Sequence, residues 1–178
     1  MNIADEIFGH STRKRKINSK RKGNNNERLA CGLLQDWTGY PFARVPSSGG
    51  LRWQNMASVV GDLVCTDEDV KFSFVVETKF LAQIFTGKSS EVTTVLRVWA
   101  QAEQDCLRTK NRVPLLLLRD NGMPAGAYYV IFSDDTLKKI GEHIEPVTSY
   151  VREKDGLILH RITHYQLLKQ VPANLFIQ

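Results

Sequence analysis

The stretch GDLVCTDEDVKFSFVVETKF, residues 61–80, decides the fold. Val59–Thr66 and Val70–Phe80 are both rich in β-branched and aromatic residues, and Asp67-Glu68-Asp69 lies between them as a polar turn. That pattern predicts a hairpin. Side chains alternate across a strand, so Phe72, Phe74, Val76 and Thr78 fall on one face and Ser73, Val75, Glu77 and Lys79 on the other. Glu77 and Lys79 thus sit together at the end of a strongly apolar strand. As an ion pair at a sheet edge they need no further explanation. Asp62 adds a second carboxylate, because the hairpin can return Glu77 close to it. Two converging carboxylates repel one another unless a cation neutralises them, and hard oxygen ligands suit magnesium or manganese. A neighbouring lysine can orient a water and stabilise charge developing on a phosphate.

Upstream, Leu29, Ala30, Leu33, Leu34 and Trp37 recur at helical spacing, which predicts a helix over 27–37 ended by Gly39 and Pro41. Glu27 heads that helix, either as a third carboxylate of the cluster or as a charge complementing the helix N-terminus. Phe42–Val45 reads as a short strand and Pro46–Gly50 as a loop. Downstream, Val95, Val98, Trp99, Ala102 and Cys106 mark one face of a helix over 92–110. Its opposite stripe is Arg97, Gln101, Gln104 and Arg108, a solvated face or one that meets phosphates, with Gln101 the site candidate. Val113–Leu118 is a continuous apolar run, as in a strand buried on both sides. Tyr128–Phe132 is a further strand, and Ser133 caps a short helix through Ile140. Beyond Pro146 the pattern offers a strand at 157–162 and a short helix at 165–169. This order predicts an α/β fold, a mixed sheet flanked by helices.

The 178 residues are 42% hydrophobic and carry a net charge of +5. Residues 1–26 hold seven basic residues (Arg13, Lys14, Arg15, Lys16, Lys20, Arg21, Lys22) against Asp5 and Glu6, whereas 27–178 hold 17 basic and 17 acidic residues. The excess therefore sits in one polar segment that cannot bury enough apolar surface to order itself. It reads as a flexible basic arm, a phosphate-binding element or a solvated tail. No apolar run reaches membrane-spanning length, no secretory signal opens the chain, and three scattered cysteines form no disulfide framework. The expectation is a cytoplasmic protein of a prokaryotic cell or a virus-infected host.

Glu27, then Arg44-Val45-Pro46-Ser47-Ser48-Gly49, then Gly61-Asp62, then Glu77-Thr78-Lys79, resembles the PD-(D/E)XK nuclease superfamily and, within it, the archaeal-type Holliday junction resolvases. Gly61 stands where that family commonly has proline. The resemblance implies a restriction-endonuclease-like core over 27–132, preceded by the arm at 1–26 and followed by an extension at 133–178 packed on the core. It further implies magnesium, replaceable by manganese, held by Asp62, Glu77 and the Thr78 carbonyl with help from Glu27. Lys79 would position the attacking water, Ser47 and Ser48 would lie at the scissile phosphate, and Arg44 would support the DNA backbone. A homodimer would cut a four-way junction, leaving 5′-phosphate and 3′-hydroxyl ends. A restriction- or repair-type nuclease and a non-catalytic DNA-binding module are the rival expectations. His160 and His164 have helix-ligand spacing but no third partner, and neither a phosphate-binding loop nor an acyl-transfer nucleophile motif occurs. Trp37, Trp53 and Trp99 read as core or dimer contacts rather than base-stacking platforms, with Trp53, near the Gly49-Gly50 loop, the exception.

Overall fold

The computed structural model describes residues 19–45, 59–141 and 144–178. Along them run α1 (Ser19–Thr38), β1 (Phe42–Arg44), β2 (Leu63–Cys65), β3 (Phe74–Leu81), α2 (Ser89–Cys106), β4 (Val113–Asp120), β5 (Tyr129–Ser133), α3 (Asp134–Ile140), β6 (Thr148–Arg152), β7 (Leu157–Thr163) and α4 (His164–Gln170), with a closing 3-10 turn at Ala173–Phe176. The strands form one sheet in the order β1-β2-β3-β4-β5-β7-β6. β3 and β4 are parallel, joined by a crossover through α2, and the other pairs are antiparallel. This is the α/β mixed sheet flanked by helices that the sequence predicts, and it is consistent with a restriction-endonuclease-like fold.

β4 explains the layering. Its central residues are buried on both faces. Leu115 and Leu117 belong to the apolar cluster that also holds Leu33, Leu34 and Trp37 of α1, Ile140 of α3 and Leu167 of α4, while Leu116 and Leu118 belong to the one that holds Val95, Val98, Trp99 and Ala102 of α2. A strand covered by helices on both sides needs no polar face. Trp37 and Trp99 are core residues as expected, whereas Trp53 lies outside the described residues.

Three readings need correction. The first helix begins at Ser19 rather than Glu27, so Lys20, Arg21 and Lys22 belong to α1 and not to a flexible arm. Tertiary contacts hold this polar turn: Asn26 is only 2% exposed, and Lys22 Nζ donates to Asn121 Oδ1 at 2.8 Å. The second helix ends at Cys106 rather than near 110. Residues 133–178 are not an addition to a finished core, because β6 and β7 extend the sheet itself. The chain's last residues close the opposite end, where Lys71 and Gln178 exchange backbone hydrogen bonds and Trp37 Nε1 donates to the Val171 carbonyl at 2.9 Å. The two histidines share no helix: His160 lies on β7, bonded to Ser149 and Asp134, and His164 opens α4. Among the described residues no helix is long and apolar enough to cross a membrane.

Candidate active site

β2 leaves β3 early, and this departure makes the site. The two strands pair in register at Leu63 and Val76, and the Asp62 amide donates to the Val76 carbonyl at 2.8 Å. Beyond that point the carboxylate of Asp62 replaces the missing strand, its Oδ2 accepting the Thr78 N–H at 2.8 Å. Gly61 permits the approach. It has φ of +85°, and a Cβ there would stand 2.7 Å from the Val76 carbonyl oxygen. A proline at this position, whose ring fixes φ near −65°, would not fit.

The predicted alternation on β3 holds. Thr78 faces α1, where its hydroxyl accepts from the buried Asn26 amide at 2.6 Å; Tyr128 donates to the carbonyl and side-chain oxygens of Asn26 from below. Glu77 and Lys79 face α2. Glu77 is 1% exposed, and its Oε1 accepts from both Lys79 Nζ and Gln101 Nε2, the latter at 2.9 Å. Gln101, the site candidate on the polar stripe of α2, gives its amide to Glu77 and so orients that carboxylate.

The electrostatics are those of crowded anions. Burial pushes the Glu77 carboxyl up to about 6, and the charge of Asp62 adds to the rise while Lys79 opposes it. Burial likewise raises Asp62, against the Thr78 N–H and Lys79, with Glu27 and Asp105 contributing further repulsion. Burial alone would lower Lys79, but its bond to Glu77 and the charges of Glu77, Asp62 and Glu27 outweigh this and hold its proton tightly. Lys79 is thus a cation and a donor, not a base.

Glu27, Asp62, Thr78 and Lys79 line one cleft of about 570 Å³, together with Lys22, Asn26 and Phe80. Glu27 is ion-paired to Arg44, whose Nη2 also donates to Asn24 Oδ1 at 2.7 Å, so that arginine is fastened to α1. Among the described residues no group of three His, Cys, Asp or Glu side chains is spaced to hold a metal ion. The donor set that remains, Asp62, Glu77 and the Thr78 carbonyl, is nonetheless one of hard oxygens, with two carboxylates set against the single positive charge of Lys79. That chemistry fits magnesium or manganese. Arg13, Lys14, Arg15, Lys16, Ser47 and Ser48 lie outside the described residues. Pattern reading missed Asn26 and Asp105. A polar run gives no sign of which member is buried, and Asp105 reads as one more solvated charge.

A family model described as "Phage putative PDDEXK endonuclease" matches residues 18–166. The match supports the PD-(D/E)XK superfamily, without assigning the chain to the archaeal-type junction resolvases, and it runs through β6 and β7. No curated protein and no solved structure matches the chain significantly.

Proposed function

Because the chain belongs to this phage PDDEXK endonuclease family, we propose that it is a magnesium-dependent DNA endonuclease whose reacting groups are Asp62, Glu77 and Lys79. The observation that carries the reading is a buried Glu77 raised by the charge of the half-buried Asp62 beside it, with Lys79 of the same strand hydrogen-bonded to Glu77. Asp62, Glu77 and the Thr78 carbonyl would hold the cation, with Glu27 at the margin. Magnesium bound there would act as a Lewis acid on the phosphodiester. The chain's own groups do the rest. Gln101 fixes the rotamer of Glu77, and the Thr78 amide fixes that of Asp62. Lys79, held protonated, orients the attacking water and offers its charge to the phosphate as negative charge builds. Hydrolysis would leave a 5′-phosphate and a 3′-hydroxyl.

For substrate we propose four-way DNA junctions, on the order of the sequence elements from Glu27 through the Arg44–Gly49 loop to Glu77-Thr78-Lys79. A two-fold dimer would set two such sites against symmetric strands, which sedimentation of the purified protein tests. The deciding experiment incubates a synthetic four-way junction and a linear duplex of the same sequence with the protein, with and without magnesium. Junction cleavage that needs magnesium is expected, and equal cleavage of both substrates would replace junction selectivity with general nuclease activity. Asp62→Asn and Lys79→Ala should each lower cleavage by more than about a hundredfold while DNA binding persists. Cleavage retained in either variant removes the assignment.

A further inference from the structure

We propose that the cleaved strand crosses the tip of β3 from Lys22 on α1 to Arg97 on α2, each cation holding the phosphate on its own side of the scissile one. The inference rests on the nuclease reading above and adds a path for the substrate.

Two concavities meet at this tip. Lys79 and Leu81 line both the cleft of about 570 Å³ on the α1 side and a second of about 230 Å³ on the α2 side. The lysine at the reacting phosphate therefore stands on the ridge between them. A nucleic-acid strand carries one charge per nucleotide, so a strand with its scissile phosphate at Lys79 presents neighbouring phosphates to both hollows.

Each hollow has a cation suited to that charge. Lys22 lines the α1 side, its Nζ bonded to Asn121 Oδ1 at 2.8 Å and lying 3.7 Å from the Phe80 ring centre. An ammonium has three donors, so one bond to Asn121 leaves capacity for a phosphate oxygen while the ring and the amide fix its place. On the α2 side, Arg97 is exposed and makes no hydrogen bond or ion pair among the described residues. The other residues that line this hollow, Lys79, Leu81, Val98 and Gln101, include no carboxylate. Arg97 also lies one helical turn before Gln101, whose amide holds Glu77, so the two residues share one face of α2. The charges across the tip thus run cation, carboxylate pair, cation, which matches phosphate, metal-bound phosphate, phosphate.

The test measures binding of a four-way junction and of a linear duplex by fluorescence anisotropy in EDTA across a salt series. Lys22→Met keeps the stem on Phe80 without the charge, and Arg97→Ala removes the guanidinium from an exposed position. Lys139→Ala on α3 serves as the comparison. Each of the first two variants should weaken binding about tenfold and lower the slope of log K against log salt by about one, and the third should do neither. Where cleavage has been mapped, a methylphosphonate on each flank of the cut completes the test. The Lys22 variant should be indifferent to neutralisation of one flank, and the Arg97 variant to neutralisation of the other. Unchanged slopes in both variants of a protein that still nicks DNA would overturn the track and leave the nuclease assignment standing. Wild-type protein that binds DNA with these slopes but never cleaves it would instead overturn the nuclease assignment.

Discussion

Glu77 concentrates the conflict from which the site is built. Its carboxyl titrates at about 6, chiefly because it is buried and then because Asp62 repels it, against an ordinary value of 4.5. Between those pH values the native metal-free protein holds a proton that the unfolded chain has already lost. Stability must therefore fall as pH rises through the window, by at most about 2 kcal/mol once pH 6 is passed. Below pH 4.5 both states are protonated and the effect vanishes. Glu77→Gln keeps the neutral shape and the contacts with Lys79 and Gln101. Its stability relative to wild type should therefore rise by about 2 kcal/mol from pH 4 to pH 7 in urea titrations with EDTA present. A difference that does not change with pH would show that Glu77 is not strained in this way. The Glu-x-Lys spacing revealed which face these side chains share, because strand period alone fixes it. What bonds to Glu77 was not legible, since it depends on how α2 rotates over the sheet, and the stripe through Arg97, Gln101 and Gln104 does not distinguish a residue facing β3 from one facing water.

At the scale of elements, the close approach of the Gly61-Asp62 segment to β3, where β2 leaves it, is the feature the site cannot do without, and Gly61 makes it possible. Its positive φ and the 2.7 Å that a Cβ would leave to the Val76 carbonyl oxygen exclude any larger residue without a shift of the backbone. Gly61→Ala should cost about 2–4 kcal/mol, from left-handed strain and overpacking together. It should also depress single-turnover cleavage beyond what stability explains, because Asp62 follows directly and loses its bond to the Thr78 amide. Urea midpoints and rates at a temperature where the variant is fully folded check both, and wild-type stability would show that the strand has room to give. The hairpin, the doubly buried β4 and the crossover helix were readable because burial imposes a pattern on them. The first turns of α1 and all of β6 were not. Ser19–Asn26 is polar with a glycine and three asparagines, poor helix material that is held through Lys22 and Asn26. In β6 only Tyr150 is buried, and one inward side chain sets no period.

For the whole molecule, the position of the basic charge now matters more than its sum. The net charge of +5 arises ahead of Glu27, but that segment divides at Ser19. Lys20, Arg21 and Lys22 lie on a helix within the span matched by the family, and Lys22 lines the cleft; Arg13, Lys14, Arg15 and Lys16 precede that span. The two groups can be separated by experiment, since each phosphate neutralised contributes about 0.9 to the salt slope for duplex DNA. A protein lacking residues 1–18 should bind a four-way junction with a slope reduced by as much as about three to four, while magnesium-dependent cleavage at low salt persists because the carboxylates and Lys79 are untouched. Anisotropy titrations across a salt series, with cleavage followed in parallel, give both quantities. If the slope is unchanged, the four leading cations are a solvated tail, and the salt dependence of binding must come from the folded surface that carries Lys22 and Arg97. If cleavage is lost with the segment even at low salt, these residues do more than hold DNA near the site, and the division between arm and catalytic core fails.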